Sequence, residues 1–278
     1  MHWLFFSIIL DFGFVQLFKL GQRRGCYAPV VVSVNYLVLA LAIAIYLFVT
    51  DAWTFPALAL YTGLGTGTVF ISSMLLMNHA LTLAPIGSVV TAFRMSIVMP
   101  IVLGIYLWGE SMAPTQFVGL LLALSALALM TSHPGRTAQI RGIKAFGLLI
   151  AVCLCQGISH TCLRSVHYNG LDPVYLHVLM FIGATAGLIG GVVIALKKHR
   201  PQGPAVKLGI FIGLYNVLAL CVIMTALSKL PGTLFFPTLG CSVVVLDNLF
   251  AHFYWKERLP RPAIAGVGIA VLAVLLVL

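Results

Sequence analysis

The stretch YLWGESMAPTQFVG at residues 106–119 has a counterpart in FYWKERLPRPAIAG at residues 253–266. In each, the aromatic-rich end of an apolar run reaches a glutamate, Glu110 or Glu257, and a glycine, Gly119 or Gly266, follows nine residues later. The chain has only six acidic residues. Two of them at matching corners call for a structural cause.

Composition sets the class. The chain is 61% hydrophobic and 8% charged, with a mean hydropathy of +1.10. A water-soluble domain carries roughly 25% charged residues. A chain this apolar cannot cover itself with polar surface and belongs in lipid. A spanning helix needs about 20 mostly apolar residues. Ten segments qualify: 2–19, 29–50, 57–83, 86–108, 114–131, 143–165, 173–195, 206–228, 232–255 and 262–278. The breaks between them carry Gly, Pro or charge, as in GESMAP, HYNGLDP and KKHRPQGP, which end helices or start turns. These lengths suit helices and not the ~10-residue strands of an outer-membrane barrel. The N-terminal MHW lacks a basic n-region, so no secretory signal peptide is expected.

The six cysteines do not read as a disulfide framework, because five lie in apolar segments, where Cys behaves as a small hydrophobe. No metal site and no cofactor are expected. The GLGTGT run at residues 63–68 lacks the Gly-Lys-Ser/Thr ending of a phosphate loop. Ser159 and His160 are helix neighbours pointing about 100° apart, a poor nucleophile–base pair. An enzyme is therefore not the expected reading.

The net charge of +10 raises nucleic acid as a partner, but its placement argues for orientation instead. Thirteen of the sixteen basic residues fall in the first, fifth, seventh and ninth connections. By the positive-inside rule these odd connections are cytoplasmic, and with ten spans both termini then face outside. The same charge can grip anionic lipid headgroups.

The two halves match in order. Gly13 pairs with Gly157 and Pro29 with Pro173 at an offset of 144; Gly63 with Gly209 and Gly67 with Gly213 at 146; Glu110 with Glu257 and Gly119 with Gly266 at 147. The offset drifts by only three residues. The expected fold class is an all-α integral membrane protein of ten transmembrane helices, built as two inverted five-helix repeats, residues 1–135 and 136–278. Five is odd, so the second half enters the membrane from the opposite side, and such repeats house a substrate path at their interface. The glutamates repeat because the corner repeats. Each is expected to bond backbone donors at the start of the following helix, where the macrodipole favours an anion.

These features resemble the drug/metabolite transporter superfamily, EamA type. The residues carrying the resemblance are "AP" before the fourth segment, "WGE" at its end and GLLLALSALALM in the fifth, with LPG, WKERL and AGVGIAVLAVLLVL in the second half. It covers essentially the whole chain. It implies a secondary transporter that moves a small metabolite or drug-like molecule by alternating access, with proton coupling as one energy source, in a bacterial cytoplasmic membrane. The alternative within the same fold is a lipid or lipid-linked-sugar flippase. Implied partners are a small-molecule substrate and membrane lipids. Family habit puts both termini in the cytoplasm, against the charge count, and this chain has Asn35 where many members carry a basic residue.

An ionisable group inside a span usually faces a cavity or a partner. Asp11, Arg94 and Asp247 lie deep in segments. Each is eight residues from a marker of the odd-connection face, about 12 Å at ~1.5 Å per residue. Arg94 is therefore expected to pair with Asp247 or Asp11, or to hold an anionic substrate group beside them, and the two aspartates are candidates for proton coupling. Asn35, Asn78, His79 and Asn248 gather in the same half of the membrane, with Gln156 and Asn216 near the middle, as candidates for lining the path. His160, Arg164 and His177 lie toward the opposite face, as an outer vestibule. The last segment of each half, Leu-, Ala- and Gly-rich, reads as a packing or homodimer surface, and the Gly63/Gly67 and Gly209/Gly213 pairs allow close helix approach. With the odd connections cytoplasmic, a topology reporter fused after Leu278 reads on the outer side; a cytoplasmic reading would mean that family habit overrides the charge count.

Overall fold

The computed structural model describes residues 1–84, 86–131, 143–254, 256 and 261–278. Among them there is no strand, and eleven α-helices follow one another: α1 His2–Arg23, α2 Ala28–Val49, α3 Ala57–Leu83, α4 Ile86–Met95, α5 Val98–Trp108, α6 Pro114–Thr131, α7 Ile143–Tyr168, α8 Tyr175–Leu196, α9 Gly203–Lys229, α10 Gly232–Phe253 and α11 Arg261–Val277. A single 3-10 turn, Asp172–Val174, leads into α8. Eight stretches have the length and hydropathy to cross a bilayer, among them Ser88–Trp108, which joins α4 to α5. That is the make-up of a multi-pass membrane protein. Two further apolar helices, Pro114–Met130 and Arg261–Val277, are shorter.

One segment differs from its sequence reading. Residues 86–108 form two helices, not one. Pro100 has no N–H to give to the carbonyl of Ser96, and the Met99 amide takes that carbonyl instead at 3.1 Å. The Ser96 hydroxyl folds back on the Phe93 carbonyl at 2.6 Å. Ile97 keeps right-handed helical angles, φ −58° and ψ −22°, so the break is a tightened turn and not a loop.

The chain forms two compact units, and each draws on both halves of the sequence. The first is Met1–Phe12, Leu76–Thr161 and Lys229–Leu278; the second is Gly13–Leu75 and Cys162–Ser228. In the first unit α6 packs along α11, and α10 contacts α5, α6 and α11. A methyl group at Gly119 of α6 would fall 2.7 Å from Val277 and 3.0 Å from the Ala273 carbonyl oxygen. At Gly266 of α11 it would fall 2.7 Å from Met130 and 3.0 Å from the Ala126 carbonyl oxygen. The start of each helix thus lies on the end of the other, and the two run antiparallel. Ala273 and Val277 stand 147 positions after Ala126 and Met130, the spacing of the two glycines.

The second unit is built around α2 and α8, which pack together. Gly183 lies against the Tyr36 carbonyl and Gly190 against Ser33, so this pair is also antiparallel. On α3, Gly63 and Gly67 face the carbonyls of Val178 and Ile182; on α9, Gly209 and Gly213 face those of Val31 and Asn35. Val178 and Ile182 again stand 147 positions after Val31 and Asn35. The matched glycines Gly63/Gly209, Gly67/Gly213 and Gly119/Gly266 therefore sit at equivalent close approaches to a neighbour's backbone, where a side chain would force helices apart.

These contacts separate glycines that look alike in sequence. Gly266→Ala should destabilise by about 1–3 kcal/mol through overpacking, whereas Gly268→Ala, which meets nothing within 4 Å, should be neutral or stabilise. Thermal unfolding in detergent checks this; equal melting temperatures for the two variants would contradict the packing.

Candidate functional site

The break between α4 and α5 is the centre of the candidate site. Arg94 occupies the last turn of α4, two residues before the tightened turn. Its Nη2 donates to Asp247 Oδ2 of α10 at 3.5 Å, with side chains 18% and 21% exposed. Asp11 of α1 and His160 of α7 belong to the same unit. The three ionisable residues placed at one depth by counting along the sequence thus gather in the first unit.

Two glycines let neighbouring helices close on the break. Gly157 of α7 sits against the Met99 side chain, and Gly240 of α10 lies 3.5 Å from Ile97, measured from an added methyl. Beside Gly157, the buried Gln156 shares a 3.0 Å hydrogen bond with His160, whose ring lies 5.6 Å from that of Phe236 in α10. Thr238 of α10 is buried, and its hydroxyl has no partner among the described residues. A buried hydroxyl without a partner is uncommon and leaves a donor and an acceptor for a guest.

Arg94 has donors to spare. A guanidinium carries five N–H donors. Among the described residues it makes the single hydrogen bond to Asp247, and that bond is long. The pair is an ion pair of modest strength whose cation can still receive a carboxylate or phosphate in the bidentate geometry Arg favours.

The other sequence candidates fall in different surroundings. Asn35 and Asn216 belong to the second unit and bond to each other, Asn216 Nδ2 donating to Asn35 Oδ1 at 3.2 Å, both buried. Asn248 is buried, and its amide donates to Val244 O on its own helix at 2.9 Å. Asn78 is half-buried on α3, and the neighbouring His79 is exposed. Arg164 and His177, expected at an outer vestibule, hold helix ends. Arg164 is buried, donates to the Leu227 carbonyl near the end of α9, and reaches the Tyr168 hydroxyl at 3.2 Å. His177 holds the α2–α3 connection through Ala52 O at 2.9 Å and Thr54 Oγ1 at 3.2 Å.

Glu110 acts as a cap, but on another helix than the sequence suggested. The Thr233 amide, in the first turn of α10, donates to Glu110 Oε2 at 3.0 Å. Gly109 turns the chain in the left-handed region at φ 66°, and the Glu110 amide returns to the Gly104 carbonyl at 3.1 Å. That turn swings the carboxylate away from α6 and toward α10. Gly104 and Gly232 make room for it, since a methyl on either would lie 3.2–3.3 Å from its atoms. The first turn of α6 is served by Gln116, whose Oε1 accepts from Ala113 N at 3.0 Å while its Nε2 donates to Val277 O at the end of α11 at 3.2 Å. Glu257 lies outside the described residues.

The sequence reading missed Thr238, the Pro100 break and Gln116. Pro100 was visible in RMSIVMP, but a proline within a spanning helix is common enough that the run reads as continuous.

No protein-family model matches the chain. It is 23% identical over 274 residues to an uncharacterized protein of Haemophilus influenzae, covering 94% of this chain and 92% of that one. A protein of known crystal structure superposes with a TM-score of 0.79 at 14% identity, over 99% of this chain and 94% of the other; that likeness is one of fold.

The cap gives a direct stability test. Glu110→Ala should cost about 1–2 kcal/mol and lower the melting temperature, with Glu110→Gln recovering part of the loss. A Glu110→Ala protein as stable as the parent would remove the cap from the account.

Proposed function

We propose that the chain is a secondary transporter that moves a small molecule bearing an anionic group by alternating access, on a fold of the drug/metabolite transporter kind. The observation that carries this reading is the under-committed Arg94, paired with Asp247 beside a helix broken between α4 and α5. Irregular backbone at membrane depth is tolerated where it lines a cavity or is buried in protein, and discontinuous helices are a common place for a transporter's substrate. On this reading the α4–α5 stretch, α6 and α11 all cross the bilayer, making ten spans in two inverted repeats. The matched contacts of Gly119 with Gly266, and of Gly63/Gly67 with Gly209/Gly213, support that arrangement. The relative in a bacterium supports a bacterial cytoplasmic membrane.

Mechanistically, an incoming anion exchanges with Asp247 for the Arg94 fork. The substrate's charge replaces the aspartate's, so the cation is not left bare in a poorly solvated site, where an isolated charge is costly. Asp11 and Asp247 are the groups able to take up a proton when Arg94 is occupied. The Thr238 hydroxyl and the Gln156–His160 pair offer neutral hydrogen bonds to the rest of the molecule, and Phe236 an apolar face.

A thermal-shift screen of the purified protein in detergent tests the reading, with amino acids, nucleosides, sugars, organic anions, cationic drugs and polyprenyl phosphates as ligands. The expected result is a saturable shift with an anionic ligand, lost in Arg94→Ala and weakened about tenfold or more in Arg94→Lys, in keeping with loss of a charge-assisted hydrogen bond. A shift unchanged in Arg94→Ala would remove Arg94 from the path, and a response to polyprenyl phosphates alone would favour a flippase.

A further inference from the structure

A cavity of about 550 Å³ opens in the second unit between the end of α1 and the first turns of α9. Its wall is apolar: Leu17, Leu20, Leu208 and Phe211. Two cations, Arg24 and Lys207, also line it, and both are exposed. Neither side chain has a hydrogen-bond or ion-pair partner among the described residues. The walls are held in place from behind. Gly21 of α1 closes on Leu208, and a buried cluster of Val30, Val31, Ile194, Ala205 and Ile212 supports Leu17 and Leu208. The Tyr27 and His199 ring centroids lie 4.0 Å apart, tilted by 35°, behind them.

Charge selects the occupant. Residues 13–28 and 197–211 together carry seven Lys or Arg and no carboxylate, and the second unit's two acidic residues, Asp51 and Asp172, lie at the far ends of α2 and α8. A ligand here must satisfy two cations at the mouth and a leucine- and phenylalanine-lined wall below them. A small inorganic anion satisfies only the first, and a zwitterionic lipid brings a cation of its own against Arg24 and Lys207. We infer that this cavity binds an anionic phospholipid, with its phosphate between Arg24 and Lys207 and an acyl chain along Leu17, Leu20, Leu208 and Phe211. The volume lies within the usual range for small-ligand sites and accommodates a headgroup with the first part of a chain. Anionic lipid is attracted to such basic membrane-edge clusters. The inference rests on the membrane reading of the chain and not on transport.

Native mass spectrometry of the delipidated full chain in detergent, titrated with phosphatidylglycerol or phosphatidylcholine, tests it. Phosphatidylglycerol should bind at lower concentration than phosphatidylcholine. The Arg24→Ala/Lys207→Ala protein should need on the order of tenfold more of it, while Lys197→Ala/Lys198→Ala, which removes as much charge from the same end but not from the cavity, should bind nearly as the parent does. Millimolar inorganic phosphate should not displace the lipid. Equal weakening in the two double variants would mean diffuse attraction and no site. Equal binding of the two lipids, or displacement by phosphate, would also overturn the proposal, the last in favour of a soluble anion.

Discussion

A backbone amide or carbonyl left bare in hydrocarbon costs several kcal/mol, and that constraint organises this molecule. Inside a helix every group is satisfied. At helix ends and breaks it is not, and the chain assigns its few polar side chains there. Glu110 takes the Thr233 amide at the start of α10. Gln116 joins the start of α6 to the end of α11. Arg164 covers a carbonyl near the end of α9, and His177 ties down the connection after α2. Each of these reads in isolation as a chemically interesting residue, and each is occupied in holding a helix end. What is left over then becomes informative. Arg94 retains unused donors and Thr238 an unused hydroxyl in the unit that contains the broken helix, while Thr185 Oγ1, His177 Nδ1 and His199 Nε2 are the buried atoms without a partner among the described residues of the other unit.

Close packing is the second constraint. Lipid offers no hydrophobic drive for helices to associate, so backbones must approach closely enough for dispersion to hold them. Glycines that face a neighbour's carbonyl provide this, and they recur at equivalent positions 146 or 147 residues apart. Other glycines, such as Gly147 and Gly268, face open space. The spacing separates these paired glycines from the open ones.

This division explains what the sequence could and could not disclose. The apolar segments were legible because twenty apolar residues in a row admit few other readings, and the helices begin and end within a few residues of the places marked by Gly, Pro and charge. The meeting of Arg94 and Asp247 was legible because rise per residue is fixed in a helix. Partners chosen through space were not. Glu110 reads as a cap, but which helix it caps depends on the left-handed turn at Gly109. Asn35 and Asn216 each stand out as polar groups in apolar runs, yet nothing in either run says that they satisfy each other. Pro100 announced no break because prolines inside spanning helices often leave them continuous.

The central claim is that the Arg94 region opens alternately to the two sides of a membrane. Thr91, one turn before Arg94 on α4, lies on the same helical face. With the six native cysteines replaced, a single cysteine in place of Thr91 can be challenged in sealed vesicles of either orientation with a membrane-impermeant thiol reagent. The account predicts modification from both sides, slowed by the substrate; modification from one side only, or from neither, would contradict it.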